Sequence, residues 1–240
     1  MSDIVIVGGS IEGLILSILC SKKHNVTIID IHPEIGFPCV IPGWLEKKEN
    51  LQKYLEVDEI AHLKILQNPN GFALCGEWLF KILTIKAAKL GVKILLRCRV
   101  INVEQSSLQT IISTIGGNNN GSGLIICDKM FDLTEYTAQA PGKLQHSMIE
   151  SKVQTNSKQS FHHWGGLALS QEQQNTISEP TLQLTREDGL CEFWYDEKPT
   201  WQPKNGWIET MQNTIPKALK EMSIDNSIDY AESLFESLNH

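Results

Sequence analysis

Apolar blocks and small or polar breaks alternate over the first thirty residues in an order that fixes the local elements. "DIVIVGG" is a short β-branched run, the pattern of a parallel strand buried on both faces. "GLILSILCSKK" stays apolar nearly all round for two turns, which suits a helix packed beneath a sheet. "NVTIID" is a second strand, ending on Asp30. Further along, Leu79, Leu83 and Ala87 recur at i, i+4 and i+8 with Ile82 and Leu90 alongside, and Gly91 supplies a left-handed cap, so the spacing predicts an amphipathic helix. "VKILLRCRVINVE" predicts a strand pair or one long bent strand. "LQTIISTIGGNNNGSGLIICDKMFDLT" predicts a hairpin with an Asn/Gly turn, then a buried strand.

From about residue 137 the character changes. "TAQAPGKLQHSMIESKVQTNSKQS" reads as a linker or a solvated strand edge. "FHHWGGLAL", "TLQLTREDGLCEFWYDE" and "GWIETMQNTIP" read as strands, the middle one a hairpin turning at Asp188-Gly189. "SIDNSIDYAESLFESL" is a closing helix with Ile228, Ala231, Leu234, Phe235 and Leu238 on one face. The expected fold class is α/β: a Rossmann-like βαβ domain with an inserted β-meander, over 1–136, and a smaller antiparallel sheet with a covering helix, over 137–240.

The opening unit carries the clearest chemistry. Against the pattern G-x-G-x-x-G, Gly8 is the first glycine, Ser10 takes the second place and Gly13 the third, with Gly9 and Ile11 between them. Gly8 makes the tight turn, a small residue at the second place lets backbone approach a pyrophosphate, and Gly13 lets helix and strand pack closely. The helix N-terminus offers unpaired N–H groups and a positive dipole end to phosphates. Asp30 lies 22 positions after Gly8, the distance at which an acid accepts a hydrogen bond from a ribose 2′-hydroxyl. Glu12 would repel a pyrophosphate unless it points away. The plainer reading is a βαβ unit whose glycine turn holds nothing.

After Asp30 comes "IHPEIGFPCVIPGWL". Together with "GGSIEGL" and the helix–strand segment "NGFALCGEWLFKILTIKAAKLGVKILLRCRVINVEQ", it resembles the geranylgeranyl reductase family of flavoproteins, within the wider group that includes aromatic-hydroxylase-type FAD monooxygenases. The resemblance covers about the first 134 residues, weakly between 46 and 69. It implies FAD as cofactor, pyrophosphate on Gly8–Gly13, ribose on Asp30, adenine near the backbone of Val100, and NAD(P)H as electron donor. It also implies a small apolar substrate. Two family features are missing: Glu135 stands where a glycine is usual, and no Gly-Asp pair opens a helix downstream. An oligomeric partner completing the flavin site is therefore one expectation.

Other constellations add less. Phe193, Trp194, Tyr195, Trp201 and Trp207 fall within fifteen residues, either as core of a small sheet or as an apolar platform; core is the preferred reading. His162 and His163 are neighbours in a strand, so their rings face opposite sides and do not chelate one metal; no metal site is expected. Cys39 reads as a pocket-lining thiol, and the six cysteines, without CxxC pairing, as reduced thiols. A net charge of −7 argues against a nucleic-acid partner. The N-terminus lacks signal-peptide features and no apolar run reaches about 20 residues, so a cytoplasmic protein without a membrane span is expected. Three functions stay open: an FAD-dependent reductase or monooxygenase, a non-catalytic dinucleotide-binding module serving as a partner subunit, and an NAD(P)-dependent dehydrogenase.

Overall fold

The computed structural model describes residues 1–106, 108–117, 122–134, 161–175, 178–215 and 217–238. The linker reading of 137–160 and the Glu135 position lie outside them.

β1 (Asp3–Val7) is flanked by two parallel partners, because its side chains are apolar on both faces and all but the first are buried. α1 (Ile11–Ser21) follows, then β2 (Asn25–Ile29) in parallel register, Ile4 opposite Val26 and Ile6 opposite Ile28. The chain leaves this sheet for β3 (Trp44–Leu45), a 3₁₀ turn, α2 (Val57–Ala61), β4 (Leu66–Asn68) and β5 (Gly71–Ala73). It returns through α3 (Gly76–Lys89), on which Leu79, Leu83 and Ala87 are buried. β6 (Lys93–Leu95) then adds to β2.

"VKILLRCRVINVE" is thus a strand pair. Arg97, at φ +50°, turns the chain out of β6 into β7 (Cys98–Gln105). β7, β8 (Thr110–Gly116) and β9 (Ser122–Cys127) form an antiparallel meander, and β10 (Lys129–Asp132) returns beside β1. The parallel sheet reads β10-β1-β2-β6. Val100, Ile112 and Cys127 on the meander pack with Val5, Val7 and Ile29.

In the C-terminal part, β11 (Phe161–Leu169), β12 (Leu182–Thr185), β13 (Leu190–Tyr195) and β14 (Glu209–Ile215) form a sheet in the order β12-β13-β11-β14, followed by α4 (Ile224–Glu236). The β12–β13 hairpin closes at Asp188-Gly189, with Gly189 at φ +84°. Phe193 and Trp194 are fully buried and Trp201 nearly so, with the Trp207 ring edge-on to Trp201 and Phe193; the aromatic segment is core. His162 is exposed, whereas His163 is buried with its Nε2 2.7 Å from the Lys217 carbonyl.

The chain makes two compact units: residues 1–37, 80–158 and 228–240 in one, 38–79 and 159–227 in the other. This differs from a single boundary near 136. Segment 38–79 groups with the C-terminal sheet because β4 and β5 lie against β12, where Asn68 acts like a strand residue. Its side-chain amide donates to the Thr185 carbonyl (2.9 Å) and its oxygen accepts from the Thr185 N–H (2.8 Å).

Candidate nucleotide-binding site

The turn after β1 sits where strand order changes direction. From β1 the chain passes through α1 to β2 on one side, while β10 lies on the other. In open parallel sheets the crevice at such a switch point, beyond the C-terminal ends of the strands, is where ligands bind. Gly8 stands at φ +109°, and a Cβ there would lie 2.7 Å from the carbonyl carbon and oxygen of Leu133, the residue that follows β10. Hydrogen bonds from Gly8 N–H to the Ile29 carbonyl (2.9 Å) and from Leu133 N–H to the Val7 carbonyl (2.8 Å) hold the turn in place.

Ser10 is the N-cap of α1: its Oγ accepts from the Gly13 N–H at 3.1 Å. Gly13 leaves no room for a side chain, since a Cβ would run into the Gly8 carbonyl oxygen. The helix therefore begins hard against the strand end, its first-turn N–H groups at the mouth of the turn. Ile11 is buried behind it, as is Glu12.

Asp30, just past β2, is 4 % exposed. Its Oδ2 accepts from the Gly9 N–H at 2.6 Å; its Oδ1 accepts from the His32 N–H at 2.7 Å and lies 2.8 Å from His32 Nδ1. The carboxylate thus braces the turn it follows. A ribose hydroxyl would compete for oxygens that already hold these groups. Val100 is buried on β7, opposite Thr114 and beside an irregularity before Asn102. The turn glycines, Ser10 and the helix terminus fit the pyrophosphate of FAD, because they present backbone and no bulk.

The second compact unit holds a separate constellation. A cleft of about 470 Å³ is lined by Ala61, Leu63, Cys75, Trp78 and Arg186, among others, with Trp78 largely exposed. Arg186 is buried and forked between Asp188 (2.5 Å) and Glu192 (3.4 Å). Glu192 also accepts from the Gly43 N–H (3.1 Å) and the Trp194 Nε1–H (3.0 Å). Burial nevertheless pushes its carboxyl above the usual range, against these donors and Arg186. Cys39 is buried in the same unit and its thiol is held well above its ordinary value, first by burial and then by Glu77 and Glu192; Cys75, 2.8 Å from Glu77, is pushed up to about 11 by burial first. Both thiols are thereby held in the protonated form.

Sequence reasoning found the turn, and the structure brings Gly8, Gly9, Ser10, Ile11, Gly13 and Asp30 together there. It missed His32, two residues from Asp30, and the Arg186–Glu192 pair, which faces across the β12–β13 hairpin. Among the described residues, no group of three or more His, Cys, Asp or Glu is arranged to hold a metal, and no helix is long and apolar enough to cross a membrane.

A glycine turn and helix terminus at the switch point of a parallel sheet, with an antiparallel meander beside it, define a Rossmann-type fold. No protein-family profile and no curated protein sequence matches the chain. Solved structures do. p-Nitrophenol 4-monooxygenase from Pseudomonas putida is similar at a TM-score of 0.71 and 11% identity, over 99% of this chain and 80% of its own. A flavoprotein/dehydrogenase from Cytophaga hutchinsonii is similar at 0.60 and 9%, over 99% and 78%. Aklavinone-11 hydroxylase, solved with FAD and aklavinone, is similar at 0.62 and 12%, over 99% and 62%. At these identities the likeness establishes the fold.

Proposed function

We propose that the chain is an FAD-dependent oxidoreductase that holds the cofactor's pyrophosphate on Gly8–Gly13. The observation that carries this is the α1 N-terminus, capped by Ser10 and set against the end of β1 at the switch point of the sheet. Ser10 and Ile11 stand at the helix terminus that meets the phosphates, while Gly8, Gly9 and Gly13, whose N–H groups are held by Ile29, Asp30 and Ser10, keep the approach free of side chains. Asp30 meets the ribose while bracing Gly9, and the Val100 backbone meets the adenine. FAD, when bound, supplies reversible hydride chemistry, which belongs to the cofactor and not to the protein. The chain's own part is to bind, orient and exclude water.

In this reading NAD(P)H is the electron donor and the substrate is small and apolar. Reduction is the favoured reaction. Hydroxylation is the second reading, supported by the monooxygenase and hydroxylase names of two structural neighbours.

The test is the visible spectrum of the purified protein, before and after added FAD. Flavin bands are expected, with bleaching when NADPH or NADH is added without oxygen. Gly13→Asp is expected to abolish flavin retention through clash and like-charge repulsion. A colourless protein that takes up no FAD overturns the proposal. Flavin that binds but resists both nicotinamides would instead mark a binding module without catalysis.

A further inference from the structure

We propose that the outer face of the β7–β8–β9 meander is an interface through which two copies of this chain form a symmetric dimer. Both faces of this meander carry aliphatic side chains. The inner face carries Val100, Ile112 and Cys127 into the core. The outer face is open: Leu124 is 72 % exposed, Ile126 57 % and Ile115 40 %, with Ile111 half-buried beside them. Strand register makes these one patch, since Ile111 lies opposite Ile126 and Ser113 opposite Leu124. Contiguous exposed aliphatic side chains of this kind mark interaction surfaces.

The arrangement of charge says what covers the patch. The outer face has three rows: Arg99 with Ile115, then Asn102 with Ser113 and Leu124, then Glu104 with Ile111 and Ile126. A two-fold axis in the plane of the interface, perpendicular to the strands, exchanges the first and third rows and leaves the middle one on itself. Arg99 of one copy then meets Glu104 of the other, Ile115 meets Ile111, and Leu124 meets its own equivalent near the axis. A surface complementary to itself in both charge and apolar position suits an isologous contact. A face bearing a single sign of charge would repel its own copy. Sheets stacked in this way pack about 10 Å apart, which suits aliphatic side chains on both. The inference stands independently of the flavin reading.

Light scattering on the eluted full-length chain at rising concentration tests it. The expected mass is twice 27.0 kDa. Leu124→Lys, at an exposed position that burdens no core, is expected to halve the mass while leaving the circular dichroism spectrum unchanged. Arg99→Glu alone and Glu104→Arg alone are each expected to weaken the dimer, and the double exchange to restore it. A wild-type chain that stays monomeric overturns the proposal, as does a dimer indifferent to Leu124→Lys. A monomer that loses thermal stability on Leu124→Lys also overturns it, and would mean that the chain's own residues cover the face.

Discussion

Asp30 is where the sequence and the structure give one residue two tasks. An acid at the end of β2 has the spacing expected of a ribose ligand, yet here its two oxygens hold the Gly9 and His32 N–H groups. Asp30→Ala would leave both donors buried without an acceptor, each costing about 1–3 kcal/mol. The expected result is an unfolding free energy, measured in urea, lowered by at least about 1 kcal/mol even without FAD. A value unchanged from wild type would show that the carboxylate braces nothing. Glu192 gives a residue-scale pH dependence. Its folded pKa is raised by burial, so the folded state keeps the proton to higher pH than the unfolded chain. Its contribution to stability is fully present below the ordinary value near 4.5 and is lost as pH rises through the folded value. Unfolding free energies of wild type and Glu192→Gln, measured from pH 4 upward, are expected to diverge through that window. Parallel curves would mean that the carboxyl is not shifted.

Among the elements, α1 was legible in full. Its apolar run, its serine cap and the close-packing Gly13 are all local signals, and local signals survive in a single sequence. Ser10→Gly brings the turn to the strict glycine pattern while removing the cap. Because glycine is itself tolerated at an N-cap, the expected loss is a few tenths of a kcal/mol against about 1 kcal/mol for Ser10→Ala. Flavin retention is expected in both variants, since the phosphates are held by backbone. Chemical denaturation and the flavin-to-protein absorbance ratio check the two statements. The short strands β3, β4 and β5 were not legible, because two or three residues are too few for a period to show. Their pairing depends on contacts such as Asn68 with Thr185, which lie 117 positions apart. The β6–β7 break was legible only as an alternative, since it turns on the left-handed conformation of Arg97, a residue type that does not announce it.

Across the whole molecule, the sequence places the glycine turn after β1 but not the division into units. A change in composition near residue 137 invites a boundary there. The contacts of residues 38–79 with the C-terminal sheet make the division discontinuous instead. The same limit hides the cleft beside Trp78, whose walls come from three distant stretches of chain. The central claim, that the Gly8–Gly13 turn receives the pyrophosphate of FAD, is tested most directly by titrating flavin-free protein with FAD in a calorimeter. Heat saturating at one FAD per chain is expected, competed by ADP, which carries the adenine and pyrophosphate, and not by riboflavin, and absent in Gly13→Asp. No heat with FAD, or undiminished binding in Gly13→Asp, would contradict the account.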